Sequence, residues 1–304
     1  MDEPVGQTEP SSSRARLGVL LAFLGAACWG FSATCVSWLT TRANVDVMWL
    51  ANMRVIIAGT LFMAIALIRD RRSVARLFTD RVLRRHLLAY TAIGVILVQA
   101  SYMAAIKYTN PGTALLLQET GVPLIVAIEC IRLRRRPSAR EIAGLALACV
   151  GVVLIATQGD PTTLAINPLG LFWGLVAGAS IAGYNLISVR MIRECGAFAT
   201  NGAAMVIAAV ILTPIMRPWE GAASLDGAGW LVLLGVTIVG TFIAYAAYLR
   251  GVADAGPVKA SLIGVFEPIS GAFFSAVWLG TVFSTWDFLG GIAIIVMMVI
   301  VARQ

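Results

Sequence analysis

The chain has 304 residues, of which 59% are hydrophobic and 13% charged, with a net charge of +7. A soluble domain carries about 25% charged residues, so this composition excludes a water-soluble globular protein. The charges are bunched between long uncharged runs and flank them, so the positive balance reads as headgroup anchoring, and no nucleic-acid partner is expected.

Residues 1–16 are polar and expected to form a disordered cytoplasmic N-terminus. The run 17–39 has no charge, and roughly 20 apolar residues span ~30 Å of hydrocarbon at ~1.5 Å per residue. "LGAAC", ending at Cys28, faintly resembles a lipoprotein cleavage site. The run continues through "WGFSATCVSWL", well beyond the about 7–15 residues of a signal core, so a retained first helix is expected. The second span, 47–68, contains Arg54. Residues 69–85 are rich in arginine and suggest a basic amphipathic helix on the inner face. The third span, 87–106, is uncharged, and the fourth, 111–131, holds Glu119 and Glu129. The fifth, 142–157, is short and presents Gly144, Ala148 and Gly151 as a dimer face; monomer and homodimer both remain open. "TQGDPTTLAIN" then leads into further spans at 168–189, 197–216, 227–249, 257–279 and 286–302. The ten-residue alternation of barrel strands is absent.

Basic residues orient the chain. With the N-terminus inside, 19 of the 23 Lys and Arg residues fall in inner segments, and Arg42, Lys107 and Arg217 fall outside. The positive-inside rule therefore places both termini in the cytoplasm of a multi-pass plasma (inner) membrane protein. Trp38, Trp49 and Trp219 read as interface anchors.

The chain repeats itself. "REIAGLALACVGVVLIA" matches "WDFLGGIAIIVMMVIVA", each opened by an acid, Glu141 or Asp287, with a glycine three residues on. Pro123 and Pro268 are 145 apart, and Gly18 and Gly170 are 152 apart. Residues 17–157 and 168–302 thus form two five-helix repeats. Five is odd, so the second half enters the membrane from the opposite side. The expected fold is an all-α polytopic membrane protein of ten transmembrane helices in two inverted five-helix repeats, an architecture that puts a substrate site near the midplane between halves.

"AACWGFSATCVSW", "AGASIAGYNLISVR", "KYTNPGTALLLQETGVPLIVAI" and "GVADAGPVKASLIGVFEPISGAFF" resemble the drug/metabolite transporter superfamily, EamA branch. Ile181 stands where the family pattern favours tryptophan. The resemblance implies a central cavity and the passage of a small metabolite such as an amino acid, usually outward.

The buried polar groups are the candidates for that cavity. A carboxylate or arginine at mid-bilayer costs on the order of 3 kcal/mol on insertion scales. Glu119 lies ~12 Å from the outer end of its helix and Glu267 ~15 Å from the inner end of its own. Pro123 removes the donor that the Glu119 carbonyl would receive in a regular helix. Ala260, Gly264, Ser270 and Gly271 share a face with Glu267 and suit close packing or a ligand. Burial and a neighbouring charge act in contrary directions on a carboxyl's proton affinity, so either glutamate suits proton coupling or a substrate ammonium; a protonated, purely structural role stays open. Glu129 sits near Arg132 and reads as interfacial. Arg54 pairs with Glu119 or holds a substrate carboxylate. Gln118, Tyr102, Tyr184, Asn185, Tyr245, Asn52 and Gln99 are helix–helix glue or ligand contacts, and Trp29 and Phe31 pack or line the cavity.

No serine–histidine pair, phosphate loop, CxxC or metal-ligand spacing occurs, so no enzyme activity and no cofactor are expected. The expectation is a secondary transporter that exports a small molecule by alternating access, with the lipid bilayer as its other partner. The rival is a proton-coupled importer.

Overall fold

A computed structural model describes residues 12–160, 162, 164–221, 225–255 and 263–302. Among these residues it is all-helical. Pro257, Lys259, Ala260 and Arg303, which carry some of the readings above, lie outside the described residues.

Ten principal helices follow in chain order: α1 (Ser12–Thr41), α2 (Val47–Arg69), α3 (Arg81–Tyr108), α4 (Pro111–Arg132), α5 (Ala139–Thr157), α6 (Pro168–Cys195), α7 (Ala197–Met216), α8 (Gly227–Leu234 continuing through Gly235–Ile243 and Ala244–Ala255), α9 (Phe266–Leu279) and α10 (Thr285–Ala302). The first eight are long and apolar enough to cross a membrane, and Thr285–Val301 is a shorter apolar helix. Several helices outrun their uncharged stretches. α1 begins at Ser12, inside the segment expected to be a polar leader, and α3 begins at Arg81, six residues before its apolar run. Arginines at a helix end reach the headgroups without breaking the helix.

Local sequence sets the helix starts. Asp46, Asp80 and Asp226 accept hydrogen bonds from the first-turn amides of α2, α3 and α8. The amides of Val82 and Leu83 hold the Asp80 carboxyl below the usual carboxylate range. Asn110 and Asn167 cap α4 and α6, each followed by proline at the first helical position, where its missing N–H costs nothing. Ser138 and Glu141 form a reciprocal capping box on α5. Each such cap contributes about 1 kcal/mol. The Arg71–Thr79 segment is a short separate helix, seated by buried Val74 and Leu77.

The helices pack in matching pairs. α1 packs on α8 and α9, while α6 packs on α3 and α4. α2 lies against α7, and α5 against α10. α3 and α8 each contain one π-helical stretch, Tyr90–Leu97 and Gly235–Ile243. The second stretch begins 145 residues after the first, the same offset that separates Pro123 from Pro268. π-Stretches often mark functional positions in helices.

Two expectations need correction. Gly144 and Gly151 do not form a free dimer face: they meet Val301, Met297, Ile294 and Gly290 of α10 within the same chain. Trp49 is no interface anchor: it is buried, and its indole N–H donates to the Pro218 carbonyl at 2.9 Å. Trp219, 62% exposed, does sit at the surface. Around Trp49 the end of the bundle where α1 finishes and α2 begins is filled by Leu39, Leu50, Met103, Ile106, Leu115 and Leu233, all buried.

Candidate functional site

A cavity of about 520 Å³ lies within the bundle. Arg54, Glu119, Glu267, Gln118, Gln99, Tyr102, Trp29, Tyr184, Asn185 and Tyr245 all line it, whereas Asn52 and Phe31 do not. They come from α1, α2, α3, α4, α6, α8 and α9.

The carboxyls sit where their helices are interrupted. α4 consists of Pro111–Gln118 and Gly121–Arg132, with Glu119 and Thr120 in the turn between. α9 has its turn at Val265, just before Phe266 and Glu267. In each case proline follows three residues after the turn, at Pro123 and Pro268. The Glu119 carbonyl is not left free, as the proline alone would suggest. It accepts the Val122 amide at 3.0 Å, a tighter i+3 bond. Thr120 Oγ1 donates to the Leu117 carbonyl at 2.6 Å, which satisfies a second group at the break.

Glycine lets neighbouring helices press on both interruptions. A Cβ on Gly178 of α6 would collide with Thr120 Oγ1 and lie 3.1 Å from the Gly121 nitrogen. A Cβ on Gly30 of α1 would collide with Ser270 Oγ and lie 2.5 Å from the Gly271 nitrogen. Ser270 and Gly271 thus serve close packing, whereas Gly264 lines the cavity. Ser270 Oγ also donates to the Glu267 carbonyl at 2.8 Å.

Arg54 is buried and donates from Nε to Thr241 Oγ1 at 2.9 Å. Thr241 belongs to the π-stretch of α8, and its own hydroxyl donates to the Val236 carbonyl five residues back at 3.0 Å. The expected Arg54–Glu119 pair is not formed: among the described residues no ion pair includes either of them. Tyr102 and Glu267 line the same cavity as Arg54 and Glu119.

A second polar group lies on the other side of the cavity. Asn201 of α7 accepts a hydrogen bond from Tyr90 Oη at 2.7 Å and donates to Tyr245 Oη at 2.8 Å. Tyr184 lines the cavity with Tyr245 and Asn201, with its ring 5.2 Å from that of Tyr90. Trp29 packs on Tyr248 at 4.9 Å. Asn185 donates to the Ile181 carbonyl at 2.8 Å. Phe31 turns to Phe274 and Trp278 and is not among the lining residues. Asn52 accepts from Thr213 between α2 and α7 and acts as glue. Ser32, on the cavity wall, is buried with no hydrogen-bond partner for Oγ among the described residues.

Sequence reasoning passed over Asn201, Thr241, Tyr248 and Ser32. Asn201 carried a signal, since it is a polar residue inside the uncharged 197–216 run. Among the described residues no group of three or more His, Cys, Asp or Glu is arranged to hold a metal ion.

The EamA-like transporter family model matches the chain twice, over residues 16–157 and 168–303. A protein of Salmonella typhimurium named as the uncharacterized inner membrane transporter YicL is 26% identical over 94% of this chain and 95% of its own length. Bacillus subtilis YwfM, named as an uncharacterized transporter, is 26% identical over 66% of this chain and 67% of its own. One solved crystal structure superposes with a TM-score of 0.61 at 19% identity, covering 93% of this chain and 95% of the other; that likeness concerns the fold alone.

Proposed function

The chain belongs to the EamA-like transporter family, and we propose that it is a secondary transporter that exports a small metabolite, such as an amino acid, through the central cavity by alternating access. The observation that carries this reading is the central cavity of about 520 Å³ that Arg54, Glu119 and Glu267 all line. A lone charge in hydrocarbon is costly, and here three ionisable side chains from three helices gather on one internal space. Arg54 is a ready partner for a substrate carboxylate. Glu119 and Glu267, on the same cavity, offer a place for an ammonium group. Trp29, Tyr102, Tyr184 and Tyr245 give apolar surface with hydroxyl or indole edges, and the unpartnered Ser32 hydroxyl adds one more hydrogen-bonding group.

The architecture proposed is ten membrane-crossing helices in two inverted five-helix repeats, residues 17–157 and 168–302, with both termini cytoplasmic. The matched pairing of helices, the two π-stretches and the two proline-marked interruptions support it. In that arrangement the two halves rock about a site between them, so the cavity faces one side of the membrane at a time.

The second reading is proton-coupled import. Its support is that Glu119 and Glu267 line the same cavity, because two interacting carboxyls can share one proton. Proteoliposomes separate the readings. Labelled amino acids and amines are offered to the purified protein with and without a pH gradient. Flux of a zwitterion independent of the gradient supports simple export down its own gradient, and uptake driven only by an inward proton gradient supports the importer. No flux of any small zwitterion or amine in either condition refutes both.

A further inference from the structure

We infer that the cleft between α4 and α5 is a binding site for an anionic phospholipid. Beyond its interruption, α4 packs on α6, while α5 packs on α10. The two leave between them a cleft of about 350 Å³, separate from the central cavity. Its walls are Pro123, Val126, Ala127, Ile131, Ile142 and Leu145. Ile131 and Ile142 are 77% and 56% exposed, so the cleft opens sideways to the surroundings of the helices, which in a membrane are acyl chains.

Its other end is basic. Arg134 and Arg135 line it. Arg135 is already matched: both its terminal nitrogens donate to Glu141, at 2.8 and 2.6 Å, and Glu141 also accepts the Ser138 amide. That locks the loop and removes the one acid in the cleft as a competitor. Arg132, Arg134, Arg136 and Arg140 are exposed and join no ion pair among the described residues. Between Gly121 and Ile142 the acids are Glu129 and the already matched Glu141. An apolar slot that ends in unmatched guanidinium groups at the headgroup level fits one ligand chemistry: an acyl chain in the slot and a phosphate with net negative charge on the arginines. A zwitterionic headgroup brings its own cation to the same arginines. The site stands independently of the transport reading, and the proposed orientation places it in the inner leaflet.

The test is native mass spectrometry of the delipidated full chain in detergent, supplied with phosphatidylglycerol, phosphatidylcholine or glycerol phosphate. Phosphatidylglycerol is expected to bind about tenfold better than phosphatidylcholine, and glycerol phosphate not to bind measurably. The R134Q/R136Q protein should lose that preference, Ala127→Trp should block the slot and weaken both lipids, and R71Q/R72Q, with the same charge loss on the neighbouring segment, should bind as the parent does. Equal binding of the two lipids, tight binding of glycerol phosphate alone, or an equal loss in R71Q/R72Q would each overturn the site.

Discussion

Arg54 and Thr241 stand 187 positions apart in sequence and are joined by a 2.9 Å hydrogen bond from the guanidinium Nε to the threonine hydroxyl. The bond ties the second helix of the first repeat to the π-stretch of the eighth helix, and it aims a buried cation at the cavity. Thr241→Val removes the acceptor without changing volume. Hydrogen bonds to charged groups are worth about 1.5–3 kcal/mol, so this variant should melt several degrees lower and transport at least tenfold more slowly. Thr241→Ser should restore both. Thermal melting in detergent and liposome flux, read side by side, check it.

Asn201 bridges Tyr90 and Tyr245 through 2.7 and 2.8 Å bonds. Asn201→Ala strands two hydroxyls, at a cost of about 1–3 kcal/mol. Asn201→Asp keeps the acceptor for Tyr90 and loses the donor to Tyr245. The alanine variant should therefore be the less stable of the two in a melting series, and the opposite order would mean that the bridge does not hold α3, α7 and α8 together.

Gly30 has no room for a side chain, because α9 passes 2.5 Å from the position its Cβ would take. Gly30→Val should cost more than the about 1–3 kcal/mol of ordinary overpacking, since backbone is what it meets. Poor expression or an early elution on size exclusion is the expected outcome. Gly227→Ala, where nothing lies within 4 Å, should behave as the parent protein.

The orientation is open to chemical labelling. In a background without native cysteines, a cysteine at Thr162 should react with a membrane-impermeant thiol reagent in intact cells. A cysteine at Ser73 should react only after permeabilisation. The reverse pattern would invert the topology.

Much of this was legible in the sequence because hydrocarbon makes charge conspicuous. Uncharged runs marked the helices, and Arg54, Glu119 and Glu267 stood out against them. Pro123 and Pro268 marked the interruptions and the repeat. The partners of those groups were not legible. Depth along a helix is readable from residue counts, but azimuth around the bundle is not, so Glu119 stood open as a partner of Arg54 whereas the hydrogen bond goes to Thr241. The fate of the Glu119 carbonyl was also hidden, because a tightened turn to Val122 can replace the bond that proline removes. The π-stretches left only a faint trace, Thr91 and Gly94 against Thr237 and Gly240, that becomes meaningful once their shared geometry is seen. Trp49 looked like an anchor because it lies at a helix start; burial is set by what covers that end.

Glu119 is the most direct test of the account. It lies in the interruption of α4, on the cavity that Glu267 also lines, in a helix that gains nothing for its own insertion from a carboxyl. Glu119→Gln keeps size and hydrogen bonding but removes the titratable group. The measurement is solute flux into proteoliposomes across a range of pH, parent against variant, with melting curves to show that both are folded. The account predicts that the folded Glu119→Gln protein either fails to transport or transports with a flat pH profile. Full transport with the parent's pH profile would contradict it and leave Glu119 as a structural group.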